Sequence, residues 1–551
     1  MMNSLSPTND KKARNRLVDV ADIVRLTDID DIEVDLVIAS FVDCRFVHAS
    51  ILRTEISPES VRQLILKKGG ICRNAKHDCK YILKKVDYLL FQNVNAEGHI
   101  AARHSKLGWQ SADDELTFNG YFKYTKDGVA DSVYVGNTRV KPCGSLDEFI
   151  SMFNITLFDN VPMQAIMAMA AAATVLPFAN LSWGTSFYNP TNHLLGNSTT
   201  GKTTGGCLFA AFGGAPEGTD SLMLSFLGTD NALVNQIGQN RGYPIAIDEF
   251  STGLSRKGWS DFIYTVANGR GKARCQAGGA KVQKIDEFST VFLTTGEMSI
   301  LRKCNNNEGI RARLFEYQVE DGWTRSAEES DYIKSVCKNN HGLITPMVAQ
   351  ELLKNDSHWQ ECFEGWRKRV RDRIHEEKLL LGIGDRVADF VALYLTSCEV
   401  LSAVLKVNMA VDAIFDFFFL HIVVKNAEDA NLGTRVYETI VAYFAKNRHL
   451  YPALFPIGDD YIMEPETEGF VVDSQRGRTV GDKTFHHYVI FQCDILDAML
   501  IRNNFSDPKV ALKALQKDGY LRTKDKSRLY IEKRINGITT RVYGVWVDIS
   551  W

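Results

Sequence analysis

The spacing of apolar residues changes several times along the chain, and each change predicts a different kind of structure. Near the N-terminus, Leu36 to Val42 is a short apolar run that is typical of a strand. Trp109 to Tyr124 alternates aromatic and polar residues around Asn119-Gly120, which predicts a β-hairpin. We therefore expect residues 1–145 to form a mixed α+β domain. Its reactive side chains show no telling spacing, so this segment predicts no role.

From residue 146 to about 335, helical patterns alternate with short apolar strands, which is the pattern of a parallel α/β sheet. Val161 to Phe178 is long enough to suggest a membrane span, but it contains Pro162, Gln164 and Thr174 and is dominated by alanine. We interpret it as a helix buried against the sheet, and we expect no contact with a membrane. Residues 336–455 then show a purely helical pattern.

The last segment, residues 456–551, contains clear local signals. Asp507 suits a helix N-cap, Pro508 suits the first helical position, and Gly519 suits the C-terminal stop. The helix between them has an apolar face formed by Val510, Ala511, Ala514 and Leu515, and a basic face formed by Lys509, Lys513 and Lys517.

Two strands follow, 528–535 and 538–547, and Asn536-Gly537 between them is a signal for a type I′ turn. Two helices followed by a β-hairpin are the order of a winged helix. Residues 505–551 carry ten Lys and Arg against five Asp and Glu, which favours binding to DNA through the basic face. The alternative is a protein-docking module whose lysines are simply solvated.

Composition and net charge do not identify a function. A chain of 551 residues is too long for one core, and its hydrophobic fraction of 45% and charged fraction of 24% are those of an ordinary soluble protein. The net charge of −3 identifies no partner. Eleven cysteines without a Cys-x-x-Cys pair suit a reducing compartment, and the N-terminus has no signal-peptide pattern, so we expect a cytoplasmic protein.

The most specific motif lies between a predicted strand and a predicted helix. Residues 196–203 match G-x-x-x-x-G-K-[ST], the P-loop, whose backbone N–H groups surround phosphates at a helix N-terminus. Lys202 would neutralise phosphate oxygens and Thr203 would ligate Mg²⁺. The motif predicts ATP binding by Gly196, Asn197, Ser198, Thr199, Thr200, Gly201, Lys202, Thr203 and Thr204.

A second motif supplies carboxylates. Ile245 to Glu249 is a buried-strand pattern that ends in two acids. We expect Asp248 to contact the nucleotide site and to hold, through water, the Mg²⁺ that Thr203 ligates, and Glu249 to act as the general base on the attacking water. Together with the P-loop, this pair predicts ATP hydrolysis.

Polar residues further along the chain extend the site. The strand 290–295 ends in two threonines, and we expect Thr295 rather than Thr294 to orient the water. Arg311 and Arg313 precede another apolar strand, and either could reach across a subunit interface to the γ-phosphate. The alternative for each arginine is a surface salt bridge.

A P-loop, an acidic strand, a polar strand, a distal arginine and then a helical lid follow one another in the order of an AAA+ ATPase. The segments GNSTTGKTT, YPIAIDEF, VANGRGKAR, FLTTGE, IRARLF and DRVADFVALYLTSCEV, in that order, resemble ATPases of phages and mobile elements. That family is similar to the Cch-type self-loading helicases of staphylococcal cassette elements, in the MCM-like clade. The resemblance covers roughly residues 150–425, with a weaker likeness in the C-terminal tail and little before residue 90.

The resemblance implies a hexameric ring. It assigns Arg313 as the arginine finger acting in trans, with Arg311 second, and Arg386 as the second sensor. Where many relatives have Ala-Gly-Glu in the lid helix, this chain has Ser397-Cys398-Glu399, which weakens the lid assignment. The expected fold is therefore α/β, with an AAA+ P-loop core at 146–335, an α+β N-terminal domain, a helical lid at 336–455 and a C-terminal winged helix.

Residues 270–284 hold five basic residues and no acidic one around a glycine turn. Two short strands there would form a hairpin, and in the MCM-like clade a hairpin at this point enters the central channel. We expect Lys272, Arg274, Lys281 and Lys284 to bind the phosphate backbone of DNA. The alternative is an exposed basic loop.

Three functions remain open. A DNA helicase or translocase, acting on single- and double-stranded DNA in the replication of a mobile element with an initiator or loading partner, is favoured by the basic hairpin and the winged helix. A protein unfoldase is suggested by Phe226-Leu227-Gly228, which resembles an aromatic-glycine pore loop. An initiator that uses ATP only as a switch would bind one DNA site and show little turnover.

Overall fold

The computed structural model describes residues 17–26, 31–95, 102–112, 115–226, 230–249, 258–271, 287–304, 308–319, 321–379, 384–430, 432–503, 505, 507–525 and 527–549. These residues divide into two compact units. The first comprises residues up to Pro142 together with Gln239–Arg241, and the second comprises Cys143–Gly238 and the residues from Gly242 onward.

The strands of the described part are, in chain order, β1 (Val18–Leu26), β2 (Asp31–Ser40), β3 (Arg45–Leu52), β4 (Ala102–His104), β5 (Leu107–Ala112), β6 (Glu115–Asn119), β7 (Phe122–Thr125), β8 (Gly128–Tyr134), β9 (Thr191–Leu195), β10 (Met223–Ser225), β11 (Asn240–Arg241), β12 (Ile245–Asp248), β13 (Phe292–Gly296), β14 (Leu314–Gln318), β15 (Asp460–Tyr461), β16 (Gly469–Val480), β17 (Lys483–Gln492), β18 (Leu521–Arg522), β19 (Ile531–Ile535) and β20 (Ile538–Val547). The helices are α1 (Pro58–Lys67), α2 (Ala75–Asn95), α3 (Leu146–Met152), α4 (Val161–Ser182), α5 (Lys202–Ala211), α6 (Asp230–Ile237), α7 (Trp259–Asn268), α8 (Glu308–Arg311), α9 (Ala327–Asn339), α10 (Ile344–Lys354), α11 (Asp356–Glu376), α12 (Gly384–Leu405), α13 (Val411–Phe418), α14 (Lys425–Ala430), α15 (Leu432–Lys446), α16 (Cys493–Arg502) and α17 (Pro508–Lys517).

The first unit contains a nine-stranded sheet in the order β11-β5-β6-β7-β8-β4-β1-β2-β3. Alternate residues of β2, such as Val34, Leu36 and Ile38, are buried in a core shared with α1 and α2. The predicted apolar strand is therefore present, although it ends at Ser40. The predicted turn at Asn119-Gly120 joins β6 to β7, while Trp109 lies one strand earlier, paired with Phe118.

The second unit begins with a five-stranded sheet in the order β10-β12-β13-β9-β14, and each of its pairings is parallel. This confirms the predicted parallel α/β arrangement. Parallel strands are covered on both faces, which explains why all five residues of β13 are buried.

Two helices of the described part, Val161–Ser182 and Arg386–Leu405, are long and apolar enough to cross a membrane by length and composition alone. The structure buries 83% of the apolar window of the first and 72% of that of the second. α4 packs on α5, α10 and α12 and has apolar residues around its whole circumference. Burial on all sides is what a core helix of this composition requires.

The C-terminal sheet has the order β15-β19-β20-β17-β16, with β18 also paired to β20. The β19–β20 hairpin turns at Asn536 (φ 49°) and Gly537 (φ 80°), as the Asn-Gly pair predicts. The β16–β17 hairpin joins the same sheet through β17 and β20, a long-range pairing that the sequence pattern did not predict. The sheet is therefore larger than a two-stranded wing.

α17 begins as predicted, because the Asp507 side chain accepts a hydrogen bond from the Lys509 backbone N–H at 2.9 Å. Its buried face differs by a small rotation from the predicted one: Leu512 is fully buried whereas Val510 is 52% exposed. The cause is the packing partner, since Leu512 enters a core with Val436 and Ile440 of α15. That core thus begins upstream of residue 456, where we predict the last domain to start.

Candidate active site

The P-loop connects the end of β9 to the start of α5. Thr199 (φ 68°) and Gly201 (φ 84°) both have left-handed backbone conformations, which bend the six-residue connection around its own interior. A Cβ atom on Gly201 would lie 2.5 Å from the Thr324 hydroxyl oxygen and 2.9 Å from the Thr324 nitrogen, so only glycine fits there. Behind the loop, the Trp323 backbone N–H donates a hydrogen bond to the Thr200 carbonyl at 2.6 Å.

The first turn of α5 faces the interior of this loop. The first N–H groups of a helix have no partner within the helix, and they lie at the positive end of its dipole. Thr204 is buried, and its hydroxyl lies 2.5 Å from that of Ser330, which ties α5 to α9. This contact holds the N-terminus of α5 beside α9, and a helix N-terminus with free N–H groups can bind an anion.

Lys202 lies inside the loop, with only 9% of its surface exposed. Its ammonium group donates to the carbonyl oxygen of Gly196 at 2.9 Å and also to that of Asn197. Burial lowers the pKa of Lys202, and the carboxylates of Glu297 and Asp248 oppose that shift. The cation is therefore positioned at the centre of the loop, where phosphate oxygens would enter.

Two hydroxyl groups converge on one carboxylate oxygen at the end of β12. The Thr203 hydroxyl donates to Asp248 Oδ1 at 3.3 Å, and the Thr295 hydroxyl donates to the same atom. A threonine hydroxyl beside a carboxylate is the hard oxygen donor set that Mg²⁺ prefers. Thr203 and Asp248 therefore fit a magnesium ion, as the motifs predict.

Glu249 follows directly and has an unusual backbone conformation (φ 54°). Its N–H donates to the Thr295 hydroxyl oxygen at 3.1 Å, so one threonine contacts both acidic residues. Thr294 lies on the opposite face of the strand, where its hydroxyl is 2.8 Å from His193 Nδ1. The structure thus places Thr295, and not Thr294, beside the carboxylates.

A cleft of about 530 Å³ opens between the P-loop, the ends of β12 and β13, and α9. Sequence reasoning missed part of its wall. Glu297 accepts a hydrogen bond from the Ser198 hydroxyl, and Asp331 and Lys334 line the cleft from α9, 3.3 Å apart. Glu297 could have been inferred from its position just after the polar strand, whereas α9 carries no signal in its sequence.

The predicted arginines lie apart from this cleft. Arg313 is 9% exposed, and its guanidinium lies 4.1 Å from the Tyr188 ring centre and 5.0 Å from that of Tyr264. Arg386, at the start of α12, is exposed and lies 5.7 Å from the same Tyr188 ring. Arg311 is 8% exposed and lines a neighbouring cavity of about 1070 Å³, which shares Thr200 and Glu297 with the cleft. Among the described residues that line the cleft, none is an arginine.

Ser397-Cys398-Glu399, the stretch that differs from the Ala-Gly-Glu of many relatives, lies within α12. Ser397 and Cys398 are fully buried within α12, and Glu399 accepts a hydrogen bond from Trp366 Nε1 at 3.1 Å. This stretch therefore packs α12 onto α11.

The predicted DNA contacts fall in two places. Lys509, Lys513 and Lys517 are all exposed along one face of α17. Lys272, Arg274, Lys281 and Lys284 lie outside the described residues, as do Leu227 and Gly228 of the alternative pore loop. Arg270, at the start of the basic segment, and Glu287, just beyond its end, form an antiparallel bridge and an ion pair at 3.0 Å.

Comparisons with known proteins extend this description. Residues 46–285 match the model of a domain of unknown function, DUF927. No curated protein matches the sequence. Among solved structures, the chain is similar to one described as "SCCmec type IV Cch - active helicase", with a TM-score of 0.72 and 18% identity over 96% of this chain and 92% of that one.

A second structure, "The A form apo structure of NrS-1 C terminal region-CTR", matches 74% of this chain and 92% of its own at 9% identity, but its TM-score of 0.26 is too low to indicate a shared fold. The resemblance to the Cch-type helicases is confirmed in the fold, and it extends beyond residues 150–425 to nearly the whole chain. This protein therefore has a mixed α/β fold with a parallel sheet, similar to that of a Cch helicase.

Proposed function

We propose that this protein is an ATP-dependent DNA helicase or translocase. The observation that carries the hydrolase part is the convergence of the Thr203 and Thr295 hydroxyls on Asp248, directly beside the P-loop lysine. Three separate segments of the chain meet there in the arrangement that phosphate binding and hydrolysis require. The likeness in fold to a protein described as an active helicase supports the nucleic-acid part.

The motif residues of the cleft have defined tasks in this proposal. The first N–H groups of α5 and the Lys202 ammonium bind the phosphates of ATP, and Thr203 and Asp248 would hold Mg²⁺. When bound, the metal neutralises charge that develops on the phosphate oxygens. Glu249 accepts a proton from water as the water oxygen bonds to the terminal phosphorus, and the bond from that phosphorus to the ADP oxygen breaks.

We further infer an AAA+ core, a helical lid and a C-terminal winged helix. The strand order supports the core, since the Thr295 strand lies between the P-loop strand and the acidic strand. A homo-hexamer would allow Arg313 and Arg386, which do not line the cleft of their own chain, to act on the cleft of a neighbour. Arg313 would be the finger, with Arg311 second and Arg386 as second sensor.

For the DNA, the basic face of α17 would contact the duplex and the basic segment 272–284 would contact a single strand in the channel. The paired ends of that segment, at Arg270 and Glu287, support a hairpin. We place the protein in the cytoplasm, in the replication of a mobile element, with an initiator or loading partner.

Arg313→Ala protein should hydrolyse ATP poorly alone, yet recover part of the activity when mixed with Glu249→Gln protein. Each variant supplies the group that the other interface lacks, if the arginine acts in trans. Because Arg313 also fills the space between Tyr188 and Tyr264, its variant should melt at a lower temperature, so mixing is done below that temperature. Recovery only with Arg311→Ala protein would identify Arg311 as the finger, and no recovery with either variant would argue against action in trans.

A variant with Lys272, Arg274, Lys281 and Lys284 changed to alanine tests the motor. It should lose strand displacement and stimulation of ATPase by single-stranded DNA, while basal ATPase persists, because none of these residues belongs to the nucleotide motifs. The measurement is displacement of forked DNA, with each tail tested separately. The matched control changes Lys509, Lys513 and Lys517, which should weaken duplex binding and spare movement along a preloaded strand.

The same assays separate the alternatives. Unwinding at the wild-type rate by the four-alanine variant would contradict the channel hypothesis. Stimulation of ATPase by unstructured protein instead of DNA would indicate an unfoldase. Binding to a single DNA site with little turnover would indicate an ATP-dependent switch.

A further inference from the structure

The turn between β2 and β3 carries apolar side chains into solvent. Phe41 is 55% exposed, Val42 80%, Phe46 68%, and Leu66 at the end of α1 53%. Phe46 and Leu66 border one depression of about 590 Å³, together with Val42. We call these four residues, with the adjacent Arg45, Lys67 and Lys68, the N-terminal patch. Three exposed apolar side chains around one depression, with a fourth in the same turn, are typical of a binding surface.

The patch is built on a fixed backbone. The Phe41 N–H donates a hydrogen bond to the Gly69 carbonyl at 2.8 Å, which ties the turn to the end of α1. A Cβ atom on Gly69 would lie 2.9 Å from Val42 Cβ, so the two segments are in close contact. The Ser40 hydroxyl donates to Asp43 Oδ2 at 3.2 Å and braces the turn. The aromatic rings are therefore presented on a rigid support.

The charge around the rings is positive. Arg45, Lys67 and Lys68 are all exposed, and none forms an ion pair with another residue in the described part of the chain. Asp43 is the acidic residue on the rim, and His48 is paired with Asp35 at 2.7 Å. Lysines at a helix C-terminus also complement the helix dipole, but that role explains neither Arg45 nor the exposed rings.

We propose that the N-terminal patch binds single-stranded nucleic acid, with bases stacked on Phe41 and Phe46 and phosphates paired with Arg45, Lys67 and Lys68. Exposed rings beside cations are the combination that single strands require, whereas a duplex keeps its base faces stacked inside. Association of two copies through the same patch would bring like charges together. The proposal rests on the DNA-directed function above and gives residues 17–142 a role in holding the strand.

The first test removes the rings. Affinity for fluorescein-labelled oligo(dT) is measured by anisotropy on the full chain, in the wild-type background and in the four-alanine background at 272–284. In the four-alanine background, the Phe41→Ala/Phe46→Ala variant should bind oligo(dT) about 5- to 150-fold more weakly for each stacking contact that is lost. Its basal ATPase should be unchanged. Phe91→Ala, which removes a ring of 65% exposure from α2, is the matched control and should bind normally.

A second pair of substitutions separates stacking from general apolar contact. Phe46→Trp should keep single-strand affinity, whereas Phe46→Leu should reduce it as Phe46→Ala does, because only an aromatic ring stacks on a base. The logarithm of the binding constant falls linearly with the logarithm of the salt concentration. Replacing Arg45, Lys67 and Lys68 with alanine should reduce the steepness of this line by about 2. Photo-crosslinking of iododeoxyuridine DNA should label the peptide that contains Phe41 or Phe46.

Unchanged affinity in the Phe41→Ala/Phe46→Ala variant, or crosslinks confined to other peptides, would overturn the proposal. So would binding to vesicles of mixed phosphatidylcholine and phosphatidylglycerol, or a change in oligomeric state, that depends on these rings while DNA affinity does not. Failure of the motor itself is distinguishable, since a chain without strand displacement can still show ring-dependent binding of oligo(dT).

Discussion

Glu249→Gln protein should bind ATP about as tightly as the wild type and hydrolyse it at least about 10²-fold more slowly. Glutamine keeps the shape of the side chain but cannot accept the proton of the attacking water. The backbone N–H of residue 249 would still donate to the Thr295 hydroxyl, and Asp248 would keep both of its threonine donors. The loss should therefore fall on turnover and leave phosphate binding intact.

The measurements are steady-state phosphate release and the shift of melting temperature by ATP with Mg²⁺. A ligand at 100 times its dissociation constant stabilises the folded state by about 2.7 kcal/mol, so retained binding is visible as a retained shift. Glu361→Gln, on the exposed face of α11, is the control that loses one carboxylate elsewhere. Hydrolysis by Glu249→Gln within about threefold of the wild type would show that the base is another residue.

Lys202→Ala protein should lose both turnover and the stabilisation by ATP. The ammonium lies inside the P-loop and is bonded to the carbonyls of Gly196 and Asn197, so its removal takes away a phosphate contact and a constraint on the loop. Among the described residues that line the cleft, the other lysine is Lys334, which reaches it from α9 and is paired with Asp331.

Lys202→Ala protein should lose both phosphate release and the shift of melting temperature by ATP, whereas Glu249→Gln protein should lose only phosphate release. Lys338→Ala, one turn further along α9 and paired with Glu217 at 2.8 Å, is the control and should behave like the wild type. If Lys202→Ala protein kept the wild-type shift with ATP and a measurable fraction of turnover, phosphate binding would depend mainly on the backbone of the loop.

Local signals in the sequence predicted the parts of this protein well. The P-loop, the acidic end of β12, the Asp507 cap and the Asn536-Gly537 turn each depend on a few consecutive residues, whose backbone preferences operate wherever the segment lies in the fold. Period-two and helical spacing also predicted the α/β alternation and the burial of α4, because an element that is apolar on all sides is stable only when covered on all sides.

Contacts between distant segments could not be predicted from these local signals. Glu297 and Ser198 are 99 residues apart, yet they are hydrogen-bonded in the cleft. Nothing in the sequence around Arg313 indicates that its guanidinium packs between the rings of Tyr188 and Tyr264. The N-terminal patch joins a turn to a helix end, and neither segment is distinctive by itself.

The amino-acid sequence by itself identified the residues that we propose to bind ATP, Mg²⁺ and phosphate, because that chemistry resides in residue type and short spacing. Tertiary structure alone decided that Arg313 packs between Tyr188 and Tyr264, and which edge of α17 is buried at Leu512. The reason is physical. A strand or helix presents several faces of similar composition, and only the element packed against it decides which face is buried.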